Sequence, residues 1–271
     1  MATFSEIFGS YRTYREELEE AVEGLRQRSP TLMKGAALLT TVDAKSQAEV
    51  RTEDLLRAVK SISKAPTPER TVIEVFIWSS IMVLFANIGV GLGSYVLAPF
   101  LPIFLGKVGA MLLGVIGVPI YAHRKIKQTD SSDVTIRNEL LSLSIIQGIL
   151  VGFSISNLYL SSSPFVVFTP LLVTVAFTLI SSFASENRAL VLGGSIGAAV
   201  GANLLLGYIT SSLSFTYFLM SLTYAGIAAV TMLHMLKNSQ NESKPYAYQN
   251  ALSNSYIIAK GMFYILFGTY N

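Results

Sequence analysis

The chain has 271 residues, of which 51% are hydrophobic and 14% charged, with no cysteine and a formal net charge of +3. Residues 1–70 hold 11 of the 20 Lys/Arg and 11 of the 17 Asp/Glu, so the remaining 201 residues carry far fewer charges than the roughly 25% of a water-soluble domain. This excludes a soluble globular fold for the larger part. Interleaved acids and bases exclude a nucleic-acid patch, and the missing cysteines exclude a disulfide framework and thiol chemistry.

The first 30 residues have no apolar core of a signal peptide, and Glu16, Glu17, Glu19, Glu20 and Glu23 disfavour an acid-poor transit peptide. Any targeting information is therefore expected to be internal. Residues 3–27 read as an amphipathic helix. Thr3 and Glu6 form a capping box, and Phe4, Ile7, Phe8, Tyr11, Tyr14, Leu18, Val22 and Leu25 recur at helical spacing. That stripe is expected to pack on its own protein, to lie on a membrane surface or to dock a partner protein. After Pro30 a weaker helix is expected over 43–63, ending at the Pro66–Thr67–Pro68 linker. Residues 1–70 thus form a soluble amphipathic helical arm, and residues 71–271 a transmembrane domain.

Seven apolar segments follow, near 71–97, 100–122, 138–158, 165–185, 188–209, 214–237 and 250–269. Segments of about 20 residues span ~30 Å of hydrocarbon as helices, where backbone groups find no other partners. The expected fold is an all-α membrane protein, a bundle of seven transmembrane helices. Lys60, Lys64, Arg70, Arg124, Lys125, Lys127, Arg137, Arg188, Lys237 and Lys244 fall on the N-terminal side, whereas the loops at 98–99, 161–163 and 210–212 and the tail 268–271 have no Lys or Arg. The positive-inside rule then puts the N-terminus on the cytosolic or matrix side. The sequon Asn241–Glu242–Ser243 falls on that same side and is expected to be unused.

Gly193, Gly197 and Gly201 recur four apart on the fifth segment and predict close helix packing; Gly89/Gly93 and Gly148/Gly152 share the spacing. Gly89, Gly91 and Gly93 follow no strand and are not a nucleotide loop. Intramembrane charge is the usual functional clue, and it is scarce. Lys107 is expected to snorkel to the interface, Lys260 to lie in the bundle interior, and Glu74 and Glu139 to be interfacial. His123 and His234 have no partners at metal-ligand spacing. No catalytic order of Ser, His and Asp, no HExxH and no phosphate loop occurs, so neither an enzyme, a metal site nor a cofactor is expected.

Ala176–Phe177–Thr178–Leu179 continuing to Phe183–Ala184, then Arg188 and Leu190–Val191–Leu192–Gly193–Gly194, resemble the fourth helix, short turn and fifth-helix start of the Bax-inhibitor (TMBIM) family. Gly93–Ser94–Tyr95–Val96 and Arg137 to Gly152 look like its first and third helices. The resemblance covers residues 72–265 and leaves residues 1–70 as an extension. It implies an intracellular membrane, calcium leak, pH-sensitive gating and suppression of cell death, with paired carboxylates on the last two helices sharing protons. Here those positions hold Thr231, Asn250 and Asn254, and from about residue 190 onward Glu242 is the only acid. Thr and Asn cannot titrate. The expected function is therefore a structural or accessory subunit of a membrane complex, in the endoplasmic reticulum or the mitochondrial inner membrane (a respiratory assembly being one candidate), which binds the bilayer and holds protein partners through its arm. The alternatives are an ion leak lined by Thr231, Asn250, Asn254 and Lys260, or regulation of cell death.

Overall fold

Apolar runs with nowhere to place an unpaired amide form helices, and the computed structural model, which describes residues 69–128, 133–184, 187–237 and 245–270, is built almost wholly of them. The arm residues Phe4, Ile7, Phe8, Tyr11 and Leu18 and the helix expected over 43–63 lie outside the described residues. Helix α1 (Glu69–Gly91) runs on into a π-helical turn, Leu92–Val96. Helices α2 (Lys107–Leu112) and α3 (Val118–Gln128) are joined by a second π turn, Leu113–Gly117, into one rod. Then come α4 (Asp133–Ser154), α5 (Phe168–Ala184), α6 (Arg188–Ile209), α7 (Phe215–Lys237) and α8 (Pro245–Phe267).

These seven rods overlap the seven expected segments. Four of them, Glu69–Val96, Val134–Ser154, Ala189–Ile209 and Phe215–Lys237, are long and apolar enough to cross a membrane. Helix α5 is shorter, and α8 carries Gln249, Asn250, Asn254 and Lys260 along its length. The second rod differs most from expectation: it starts at Lys107 and reaches Gln128. Pro102 allows only a short 3-10 turn, and Gly106 is extended at φ −72°, ψ 154°, so the helix starts after it. Pro119 lacks the amide needed for a regular ladder, and the π turn just before it absorbs the misfit. The buried Gln147 side chain of α4 donates to the Gly114 carbonyl at 3.1 Å.

Local capping fits the remaining boundaries. Asn187 accepts the Leu190 amide at 3.1 Å to start α6, the Ser214 hydroxyl accepts the Tyr217 amide at 3.1 Å to start α7, and Pro245 opens α8. At the end of the molecule opposite the start of α1, hereafter the far end, β1 (Leu158–Tyr159) pairs antiparallel with β2 (Thr269–Tyr270). Between α4 and α5 an irregular stretch tucks Leu160 and Val166 into the core, and Ser80 donates to the Val167 carbonyl at 2.9 Å.

Helix α1 is central, touching α4, α8 and α5; α6 packs on α5 and α7. The closest approach is between α1 and α4. A Cβ at Gly89 or Gly93 would collide with the carbonyls of Ile145 and Ile149, and one at Gly148 or Gly152 with those of Ala86 and Val90, all closer than 3.0 Å. Ser94 adds a hydrogen bond to the Gly152 carbonyl at 2.9 Å. The stripe singled out for packing behaves differently: at Gly193, Gly197 and Gly201 an added Cβ would meet nothing within 4 Å. The spacing is the same, but only the α1 and α4 stripes face each other; the α6 stripe faces outward and is exposed.

A branched side chain between α1 and α4 must push two backbones apart. Gly148→Leu is expected to destabilise by at least about 2–3 kcal/mol, the scale of severe overpacking, whereas Gly197→Leu should stay near zero. The thermal midpoints of the two variants in one detergent measure the contrast.

Candidate functional site

Helix α8 carries a polar face, and it is turned inward. Gln249, Asn250, Ser253 and Asn254 are all buried. Asn254 Nδ2 donates to Asn250 Oδ1 at 2.9 Å, one helical turn earlier, so the two Asn side chains satisfy each other. Ser253 Oγ donates to the Asn250 carbonyl at 3.2 Å and lies 3.7 Å from the Met82 sulfur. From α1, Ser79 Oγ donates to the Gln249 carbonyl at 3.3 Å. Further along, Lys260 Nζ donates to Asn87 Oδ1, while Asn87 Nδ2 donates to its own Val83 carbonyl at 2.7 Å.

The four positions expected to line a pore are thus only partly gathered. Asn250 and Asn254 form a pair, and Lys260 lies more than a turn beyond them, held by α1. Thr231 turns back on its own helix, donating to the Ile227 carbonyl at 2.9 Å. No group of His, Asp, Glu and Cys that could hold a metal occurs among the described residues.

Residues not anticipated complete this seam. Tyr224 of α7 and Tyr256 of α8 are fully buried, with ring centroids 5.3 Å apart in an edge-on arrangement. Their hydroxyls have no partner, nor do Ser221 Oγ and both side-chain polar atoms of Gln249. Aromatic residues on an apolar helix read as plain core in sequence; only the packing shows that their hydroxyls point at nothing.

The other polar cluster lies at the N-terminal end of the bundle. Arg137 of α4 pairs with Glu74 of α1, and its guanidinium stacks 4.7 Å from the Trp78 ring centre and 5.9 Å from that of Tyr246. Lys125 and Glu139 pair at 3.4 Å between α3 and α4. Both acids therefore sit at the bundle end: Glu74 lines a cleft of about 730 Å³ with Glu69, Arg70, Ile73 and Arg137, and Glu139 one of about 400 Å³ with Tyr121, Lys125, Thr135 and Asn138. Lys107 opens α2 at the far end. His123 and His234 are both exposed.

The profile of one protein family, described as Interactor of ZYG-11, matches residues 2–270. No curated protein and no solved structure matches the chain. The family match overturns the Bax-inhibitor resemblance and the calcium-channel expectation that came with it, and it gives the mitochondrial expectation no support. The physical reason is visible in the motif residues. Phe177 is buried and Ala176 nearly so, while Phe183 is 90% exposed and Gly193 faces outward. Small residues, apolar residues and short turns are the common vocabulary of apolar helix pairs and do not discriminate between families. The match also takes in residues 2–68, so the arm is part of the family unit and not an extension.

Removing Arg137 strands Glu74 and strips the stacked cation from Trp78. Arg137→Ala is expected to cost about 1–3 kcal/mol, below the value for a fully buried pair because both partners stay partly wet. Arg137→Lys should lose a smaller part, since the charge remains and the planar stacking goes. Thermal unfolding of the purified variants tests the ranking.

Proposed function

The chain belongs to the ZYG-11 interactor family, and we propose that it is a membrane-embedded interaction protein whose seven helices anchor an N-terminal arm that binds a ZYG-11-type partner. The observation that carries this reading is the extent of the family match, residues 2–270, which joins arm and bundle in one unit described by its partner.

A lipid surround is supported by what the bundle leaves uncovered. Ile88, Leu179, Phe183 and Leu205 are at least half exposed on its flanks, a surface that water would penalise. Exposed aromatic residues gather at the far end: Tyr95, Phe100, Phe104, Tyr159, Phe165, Tyr208 and Tyr270, as in the belts that mark a membrane–water boundary. Arg70, Arg124, Lys125, Lys127, Arg137 and Lys237 lie at the opposite end, against Lys107 alone among the described bases of the far end. This favours seven spans with the arm on the positively charged side. The interior acids a cation pathway would use are missing from α5 to α8.

Full-length protein in lipid nanodiscs is expected to retain purified ZYG-11, and a chain beginning at residue 69 to lose at least about tenfold in affinity, equivalent to 1.4 kcal/mol. Equal binding by both chains would move the interface to the bundle; no binding by either would end the proposal. Because the chain has no cysteine, topology can be read from single substitutions. Lys127→Cys and Lys237→Cys should label from the side of the arm, and Ser161→Cys and Thr210→Cys from the other, with an impermeant maleimide on sealed vesicles. Labelling of all four from one side would rule out seven spans.

A further inference from the structure

We infer that the seam between α1, α7 and α8 holds a small monovalent anion of the halide class, bound by Lys260 with the hydroxyls of Tyr256, Tyr224 and Ser221. Three observations converge on this. The first is an uncompensated cation. Lys260 is anchored by a neutral amide, Asn87 Oδ1. Helices α5, α6, α7 and α8 contain no Asp or Glu, and Glu69, Glu74 and Glu139 lie at or near the opposite end. A charge in an apolar interior needs a counter-charge.

The second observation is a set of unpartnered hydroxyls on α7 and α8. Ser221, Tyr224 and Tyr256 are each 0% exposed, and none has a hydrogen-bond partner. Elsewhere in the bundle, buried hydroxyls find a partner, on their own helix as Ser144, Thr174, Ser195 and Thr223 do, or on a neighbouring element as Ser80 and Tyr217 do. Unsatisfied buried donors are uncommon and call for an occupant.

The third is placement. Tyr256 precedes Lys260 by one helical turn, on the same face, and Tyr224 packs edge-on against Tyr256. Helix α7 runs antiparallel to α8, so Ser221, one turn before Tyr224, lies level with the turn of α8 that follows Tyr256. Helix geometry thus places the cation and the three hydroxyl donors within about one turn of each other along α7 and α8, with no carboxylate on either helix. Water alone would serve the hydroxyls but not the charge, and a metal cation would be repelled by the ammonium group. One cation calls for one negative charge. Tyr264, one turn beyond Lys260, hydrogen-bonds Ser163 of the α4–α5 connection.

The test uses the full chain in nanodiscs, with chloride replaced by gluconate at constant ionic strength. The unfolding midpoint, followed by circular dichroism, is expected to rise saturably with chloride. Lys260→Gln and Tyr256→Phe should each raise the apparent Kd for chloride by about tenfold or more, the loss of one charge-assisted hydrogen bond, and Lys260→Arg should stay close to wild type. Bromide diffused into crystals should give an anomalous peak beside Lys260. Equal midpoints in chloride and gluconate, an unaltered chloride response in Tyr256→Phe together with Lys260→Gln, or a map with water and no bromide signal at Lys260 would each overturn the inference. If Lys260→Gln does not fold, Tyr256→Phe and the bromide map decide.

Discussion

The contact on which the bundle depends is the backbone-to-backbone approach of α1 and α4. Gly89 and Gly93 lie against the carbonyls of Ile145 and Ile149, and Gly148 and Gly152 against those of Ala86 and Val90. Such closeness supplies the dispersion contacts on which the packing of apolar helices rests. The two helices run parallel, and the glycines lock their register. That register brings Arg137 to Glu74 near one end and Ser94 to the Gly152 carbonyl near the other. Since α1 is also the neighbour of α8, it sets that helix too: Ser79 meets the Gln249 carbonyl, and Asn87 meets Lys260.

Polar groups in this bundle fall into two populations. Most hydroxyls bond back to a carbonyl three or four residues earlier, as Thr178 and Thr231 do, which removes them from the energetics of helix association. A smaller set reaches between helices. Asn203 donates to Thr169 at 3.0 Å while its carbonyl accepts from Tyr217 at 2.9 Å, which ties α5, α6 and α7 together near the far end. The seam around Tyr224 and Tyr256 belongs to neither population. Its donors are buried without partners, and an apolar pair of rings in their place would avoid the cost of about 1–3 kcal/mol per unsatisfied group. A feature that carries such a cost points to a role other than packing.

Much of the architecture was legible from the chain alone. Length and apolarity announced seven helical rods, since apolar runs of this length satisfy their own backbone only as helices. That Glu74 and Glu139 sit at one end of the bundle followed from their places near the starts of their segments. The family was not legible from short motifs. Phe177 and Gly193–Gly194 sit where any apolar helix pair would place large or small residues, and only a match over residues 2–270 carries enough positions to decide.

The sequence by itself determined which segments are helical, which end is basic, and that no acids are available within the last four helices, since these depend only on local spacing and composition. The tertiary structure decided which equally spaced glycines meet a neighbour. It also decided that Asn250 and Asn254 bond to each other, that Thr231 turns away, and that Lys260 faces Asn87. The reason is geometric: a helical repeat defines faces, but which face meets which neighbour is set by the packing of residues far apart in the chain, and in this bundle by α1 against α4.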